Sequence, residues 1–169
     1  TEAYLGLSAY AIFIRRLMDM NDSGTAILMR YTLRLLTAQQ YERASAMICA
    51  CDLIRRDHED LYGKARISIG LWVGGTTTPN TMVDAVKKYN KMKNNGGINP
   101  FVVLKCPWCG AQMGAVERRH GIYETPGYKK VRGQHGKYRI IFQCRNTENT
   151  CDFSKGSYAL PMYVVDDSI

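Results

Sequence analysis

Four cysteines in two pairs constrain this chain more than any other feature of its sequence. Cys106 and Cys109 are separated by Pro-Trp and followed by Gly110, a spacing typical of a turn that aims two sulfur atoms at one point. Cys144 and Cys151 form a second, wider pair. Because Zn²⁺ accepts a tetrahedral shell of four thiolates and needs no other ligand, the pattern predicts a structural zinc site.

Two disulfides, or four unrelated thiols, are the alternative interpretation of these cysteines. The sequence shows no secretory signal pattern and no apolar run of about 18 residues. We therefore expect a cytoplasmic protein without a membrane partner, and in that reducing compartment a metal is favoured over disulfides. His120 and His135 are candidates to replace one thiolate, but neither belongs to a close pair, which favours solvated loop positions.

The positive charge of the chain is concentrated around the same region. The formal net charge is +8, and residues 87–139 alone hold twelve Lys and Arg against two Glu, a balance of +10. The basic residues are Lys87, Lys88, Lys91, Lys93, Lys105, Arg118, Arg119, Lys129, Lys130, Arg132, Lys137 and Arg139. Such a patch suits DNA, since neutralised phosphates release counterions. A solubilising face without a partner is the alternative.

Four aromatic residues accompany this basic segment. They are Tyr123, Tyr128, Tyr138 and Phe142. Aromatic rings near a charged groove stack on unpaired bases in many nucleic-acid-binding proteins. In a small metal module the same rings more often pack around the metal, so both interpretations remain open.

The rest of the chain alternates predicted helices and strands. The predicted helices span residues 2–18, 32–56 and about 80–93, and the predicted strands span residues 26–31, 67–73 and 162–165. The first helix is apolar almost all round, which predicts burial. Thr32 is suited to cap the second helix and Asn80 or Thr81 the third, and Cys49 and Cys51 are predicted to be small buried residues. This order predicts an α/β fold with a parallel sheet covered on both faces.

Three stretches then carry a resemblance to a known family. They are Leu28-Met-Arg-Tyr-Thr-Leu-Arg-Leu-Leu-Thr-Ala-Gln-Gln-Tyr-Glu-Arg-Ala44, Ile69-Gly-Leu-Trp-Val-Gly-Gly-Thr-Thr-Thr-Pro-Asn80 and the Cys-Pro-Trp-Cys-Gly turn. Together they resemble superfamily 2 helicases of the DISARM phage-defence type, DrmA-like. The resemblance implies a partial RecA-like parallel sheet at residues 1–99 and 160–169, with a zinc-ribbon insertion at residues 100–159.

The resemblance also implies a role for the first residue. Thr1 would end the Gly-Lys-Thr phosphate-binding loop of a longer parent, whose cofactors are ATP and Mg²⁺, and Thr1 would supply the hydroxyl that binds the magnesium. The chain itself lacks the glycines and lysine of that loop. We therefore expect an excised fragment that by itself neither holds nor hydrolyses ATP well.

Contacts to DNA are implied at two helicase motifs. The residues are Arg30, Tyr31, Thr32 and Arg34 in the first motif and Gly74, Gly75, Thr76 and Thr77 in the second. Both groups lie at the C-terminal ends of predicted strands and offer hydroxyls and backbone amides, which agrees with the usual position of phosphate contacts in parallel sheets. For Arg34, a charge on a helix surface is the alternative.

Three functions follow from these observations. The preferred one is part of the first motor domain of an ATP-dependent DNA helicase or translocase of phage defence, with other defence-system subunits as possible partners. The alternative is a non-enzymatic zinc-ribbon module that binds nucleic acid or protein. A nuclease using Asp166 and Asp167 has little support, because no further acidic cluster lies nearby and a two-metal site needs more ligands; this pair is expected to cap a strand end.

Overall fold

The computed structural model describes residues 2–30, 34–133, 136–146, 148, 150–154 and 158–169. The chain divides into two compact units, unit 1 at Thr1–Ile69 and unit 2 at Gly70–Ile169. The predicted insertion boundaries at residues 100 and 159 stay predictions. Among the helices of the described residues, none has both the length and the apolar character that crossing a bilayer requires.

Unit 1 consists of three helices around a small apolar core. They are α1 (Glu2–Met18), α2 (Arg34–Asp57) and α3 (Glu59–Tyr62). The core is built from Ile12, Ile48, Cys51 and Ile67. Cys49 is also fully buried, so both cysteines of α2 are the small interior residues that the sequence predicted. The first two predicted helices are thus confirmed, apart from the cap at Thr32, which lies outside the described residues.

Two expectations for unit 1 were wrong. The first helix is buried along one face only, at Ser8, Ile12 and Arg16, while Leu7 and Tyr10 are exposed. The run predicted as a buried strand contains no strand over residues 25–30, and Leu28 is 91% exposed. Both regions are apolar in sequence, but an apolar side chain is buried only where other residues pack against it. Other residues pack against one face of α1.

A buried charge network closes the far end of α2. Oδ1 of Asp52 accepts hydrogen bonds from Nε of Arg55 at 2.9 Å and from the backbone N–H of Ile67 at 3.1 Å. Oδ2 accepts from Nε and Nη2 of Arg66 at 2.8 and 2.6 Å. Asp52 and Arg55 are almost completely buried. These donors offset the free-energy cost of removing the Asp52 carboxylate from water.

A short strand at the unit boundary and a capped helix precede the rest of unit 2. Strand β1 (Ile69–Gly70) pairs with β6 (Met162–Tyr163), and the N–H of Leu71 donates to the carbonyl of Tyr163 at 2.9 Å. Helix α4 (Met82–Asn95) follows the polar turn after β1. Oγ1 of Thr81 accepts from the N–H of Asp84 at 3.2 Å, so Thr81 is the cap among the two predicted candidates, Asn80 and Thr81.

Two antiparallel hairpins complete unit 2. The first joins β2 (Val116–Arg119) to β3 (Ile122–Glu124), and the second joins β4 (Gly127–Arg132) to β5 (Tyr138–Gln143). The described residues thus form a mixed α/β structure with small parallel and antiparallel sheets. A RecA-like sheet, which needs more and longer parallel strands, stays a prediction.

Aromatic packing forms the core of unit 2. The ring of Phe101 lies 4.9 Å from that of Tyr128 and 5.7 Å from that of Phe142 between centroids. Nδ2 of Asn99 donates to the Tyr128 hydroxyl at 2.9 Å, and that hydroxyl donates to the carbonyl of Val103. The polar end of the buried tyrosine is therefore satisfied, and β4 and β5 are fixed to the chain that leads to the first cysteine pair.

Candidate metal centre and nucleic-acid interface

The first cysteine pair lies in a tight backbone turn. The N–H of Cys106 donates to the carbonyl of Ala111 at 2.8 Å, and the N–H of Gly110 donates to the carbonyl of Cys106 at 2.8 Å. Gly110 has a φ of 75°, in the left-handed region that favours glycine. This turn brings the Cys106 and Cys109 sulfurs to the same site, as the Cys-Pro-Trp-Cys-Gly spacing predicted.

The second pair follows the end of β5. The N–H of Cys144 donates to the carbonyl of Phe153 at 3.1 Å. The carbonyl of Cys151 accepts from both the backbone N–H and the hydroxyl of Ser154, at 3.0 and 2.7 Å, which closes a short 3₁₀ turn at Asp152–Ser154. Because Phe153 is fully buried, it anchors this loop against the rest of unit 2.

The four sulfur atoms form one cluster. All four Sγ atoms lie within 4.8 Å of one another, with 4.0 Å between Cys106 and Cys151 and 3.5 Å between Cys109 and Cys144. A tetrahedral zinc with bonds of about 2.3 Å places its sulfurs about 3.8 Å apart. A disulfide requires about 2.05 Å, and all four thiols are free. The donor set therefore fits zinc, and the disulfide alternative does not describe this site.

Burial makes three of the four thiols resist ionisation. It raises the pKa of Cys106 and of Cys144 above the usual range, and the pKa of Cys151 to about 12. Cys109 is more exposed; burial opposes its ionisation too, but the N–H of Ala111 and neighbouring side-chain donors lower its pKa overall. Because burial opposes the ionisation of these crowded sulfurs, a bound dication would stabilise their thiolate form.

Polar contacts around the sulfurs were not predicted from the sequence. Nδ2 of Asn146 lies 3.7 Å from Sγ of Cys109 and donates to it. Nε1 of Trp108 donates to Oδ2 of Asp152 at 3.2 Å, and so links the two cysteine loops. Such outer contacts orient metal ligands. The position of Trp108 inside the Cys-Pro-Trp-Cys turn could have suggested its contact with Asp152 from the sequence. No local sequence pattern pointed to Asn146.

The basic hairpin, defined as residues 127–143, lies directly before Cys144. Its exposed cations are Lys129, Lys130, Arg132, Lys137 and Arg139. No acidic residue occurs in this segment of the sequence. Within the described part of the chain, none of these five cations has a carboxylate partner. The hairpin is therefore a concentration of uncompensated positive charge held at one end by the cysteine cluster.

Comparison with known proteins gives one informative similarity. The chain is 33% identical over 190 aligned positions to the DISARM protein DrmA of Bacillus paralicheniformis (strain ATCC 9945a / NCIMB 11709 / CD-2). The chain is therefore similar to part of DrmA. The alignment covers 100% of the chain but only 15% of that relative, so the chain corresponds to a small part of the longer protein. No family model matches the chain.

The two histidines that the sequence offered as ligands are not shown at the cysteine cluster. His120 is in an exposed turn between β2 and β3, and His135 is outside the described residues. Over the described ranges, the four cysteines are the one group of three or more His, Cys, Asp or Glu residues close enough to bind a metal. Oδ2 of Asp167 accepts from the N–H of Met82 at 2.9 Å, so this residue stabilises the start of α4.

The predicted DNA contacts fall in both units. In unit 1, Arg30 is exposed in irregular chain, and Arg34 begins α2 with a side chain that is not described. In unit 2, Gly75, Thr76 and Thr77 are exposed in a turn in which the N–H of Thr77 donates to the carbonyl of Gly74 at 3.0 Å. Three predicted site residues lie outside the described residues: Thr1, Tyr31 and Thr32. All these DNA and nucleotide contacts stay predictions.

Proposed function

We propose that this chain is a DNA-binding part of an ATP-dependent DNA helicase or translocase of phage defence, folded around one structural zinc ion. Similarity to DrmA along the whole chain supports the defence role and the proposal of other defence-system subunits as partners. The observation that carries the DNA-binding role is the basic hairpin, whose five exposed cations have no carboxylate partner among the described residues.

The zinc has a structural role in this proposal. Four thiolates complete a tetrahedral shell and leave no open position for a substrate or a water. Cys106, Cys109, Cys144 and Cys151 would hold the ion. When bound, the zinc supplies charge compensation for the thiolates and crosslinks the two cysteine loops, which holds the end of β5 in place.

The hairpin would contact the phosphates of DNA. Four of its five cations, Lys129, Lys130, Arg132 and Arg139, lie on the paired strands, so each of these can neutralise a phosphate without ordering a loop. For a single strand the logarithm of the binding constant falls by roughly 0.7 per neutralised phosphate for each unit of log salt. Five contacts would therefore give a slope of about −3.5.

ATP hydrolysis belongs, in this proposal, to the longer protein. Residues 2–169 contain no Gly-Lys phosphate-binding loop, so the chain alone is expected to show no ATP hydrolysis. The test is to sequence the codons upstream of Thr1, where Gly-Lys is expected, and to measure DNA-stimulated ATP hydrolysis by the longer protein. If the longer protein binds DNA without hydrolysing ATP, a non-enzymatic zinc-bearing module replaces the helicase assignment.

The DNA contact is tested with fluorescence anisotropy on a labelled 15-nucleotide thymidine strand between 50 and 300 mM NaCl. Replacing Lys129, Lys130 and Arg132 together by Gln should lower the salt slope by about 2, because three phosphate contacts are lost. The matched control replaces three lysines of α4 by Gln, namely Lys87, Lys91 and Lys93. Binding without salt dependence, or an equal loss in the control, would overturn the hairpin as the contact surface.

A further inference from the structure

We infer that the basic hairpin binds unpaired DNA, with Tyr138 stacking on a base. This inference rests on the proposed function and names its substrate class. Phosphates are present in both duplex and single-stranded DNA, so charge alone does not distinguish the two forms. The distinction comes from an aromatic ring that is accessible within the cationic surface, because a base in a duplex already has neighbours on both faces.

Two of the four aromatic residues of this region are unavailable to a base. Tyr128 is 3% exposed and Phe142 is 4% exposed. Their ring centroids are 5.0 Å apart, and both rings contact Phe101 in the core of unit 2. Stacking a base on either ring would require opening that core.

A third aromatic residue is occupied by the end of α4. The ring of Tyr123 packs so closely on Gly96 that a Cβ at that position would lie 2.6 Å from Cε1 of the ring. Gly96 also caps α4, with its N–H donating to the carbonyl of Met92 at 3.0 Å. The ring therefore has a structural role at the helix C-terminus.

Tyr138 differs from these three residues. It begins β5 and is 50% exposed. The hydroxyl of Tyr138 has no hydrogen-bond partner among the described residues, so the ring is held by the hairpin backbone and by its neighbours rather than by a polar contact. Its removal should therefore cost unit 2 little stability.

The strand register surrounds this ring with cations. Tyr138 is the cross-strand partner of Arg132, and Lys130 lies two residues earlier on β4, so all three side chains leave the same face of the hairpin. Nζ of Lys130 lies 4.4 Å from the centroid of the Tyr138 ring. The ammonium group occupies one side of the ring, and a base would stack on the other side while the two cations bind the adjacent phosphates.

The experiment compares a labelled 15-nucleotide thymidine strand with a labelled 15-base-pair duplex at 100 mM NaCl, using the complete 169-residue chain loaded with zinc. Wild type should bind the single strand at least about tenfold more tightly. Tyr138→Leu should weaken single-strand binding about tenfold, without changing the salt slope, because stacking is lost and the phosphate contacts remain. Tyr138→Phe keeps the ring and should stay within about twofold of wild type.

Tyr10→Leu serves as the matched control, since Tyr10 is an exposed tyrosine of α1 in unit 1. It should leave both affinities unchanged. Zinc content of one per chain in each variant establishes that unit 2 is folded. As an independent measurement, a strand carrying one 5-iododeoxyuridine should crosslink under ultraviolet light to the peptide that contains Tyr138.

The outcomes separate this inference from the proposed function. If Tyr138→Leu binds the strand as wild type does while the salt slope persists, stacking is wrong and DNA binding stands. If wild type binds duplex as tightly as the single strand, the preference for unpaired DNA is wrong. If neither probe binds with salt dependence, the proposed DNA-binding function itself fails.

Discussion

Unit 1 and unit 2 both place ionisable groups in their interiors, but they compensate these groups differently. In unit 1, the carboxylate of Asp52 accepts hydrogen bonds from two arginines that the chain itself supplies. In unit 2, four thiols meet, and among the described residues no cationic side chain is a partner of their sulfurs. Unit 1 therefore carries its own compensation, whereas in unit 2 the thiolates, once ionised, would need a bound metal ion to supply it.

This difference predicts that the stability of the two units depends on different conditions. A salt-bridge network forms whenever the chain folds, so unit 1 should be indifferent to metal. A thiolate site is formed only when metal is present and protons leave, so the stability of unit 2 should follow zinc. Perturbing one unit at a time, while the stability of both units is measured, tests this difference.

Metal removal should have the largest effect. Structural zinc contributes about 10–16 kcal/mol in small metal-binding peptides, comparable to the whole stability of a domain. Chelation should therefore remove hydrogen-exchange protection from residues 104–113 and 138–154, while the amides of α2 keep theirs. Cys144→Ser should have the same result and Cys51→Ala should retain one zinc. Full hydrogen-exchange protection of unit 2 after complete metal removal would contradict the predicted dependence of its stability on zinc.

Loss of the buried carboxylate should be the next largest effect. Asp52→Ala removes the buried carboxylate that pairs with both Arg55 and Arg66, and breaking such a buried network costs about 3–5 kcal/mol in free energy of unfolding. Urea unfolding followed by circular dichroism at 222 nm should show this loss, and zinc content should not change. Asp57→Asn removes an exposed pair with Arg56 and should cost less than about 1 kcal/mol. Loss of zinc by Asp52→Ala would show that the units are not independent.

Ionisation of Cys51, in unit 1, at alkaline pH should have the smallest effect. Burial raises the pKa of Cys51 from 9.0 to about 11. Below pH 9 the folded and unfolded states both hold the proton; between about pH 9 and 11 only the folded state holds it, so folding loses stability as pH rises. The loss is about 2 kcal/mol near pH 10.5.

Cys51→Ala isolates this contribution from other groups that titrate at alkaline pH. The alanine variant should be less stable than wild type at pH 8, because it lacks buried sulfur, and that difference should shrink by about 2 kcal/mol at pH 10.5. Urea unfolding at the two pH values measures the difference. A difference independent of pH would mean that the folded thiol ionises normally.

Helices and the metal turn were largely predictable from the sequence because their signals are local. The bounds of α1 agree with the predicted span of residues 2–18, and Thr81 caps α4 as expected. The Cys-Pro-Trp-Cys-Gly turn needs only a few backbone hydrogen bonds and one glycine with positive φ. Strands were predicted less well, since residues 67–73 contain a strand only at Ile69–Gly70. A strand exists only where a partner lies beside it, and that partner is distant in sequence.

By itself the sequence determined which residues carry the chemistry: four cysteines for a metal, and a block of basic residues before the second pair. The spacing of residues along the chain and their charge are set by the amino-acid sequence and do not depend on how the chain folds. Only the tertiary structure decided which aromatic ring is accessible, because Phe101 and α4 cover three of the four candidates and leave Tyr138 exposed. Burial of a side chain depends on contacts with segments that are distant in sequence, and the sequence pattern of one segment does not specify these contacts.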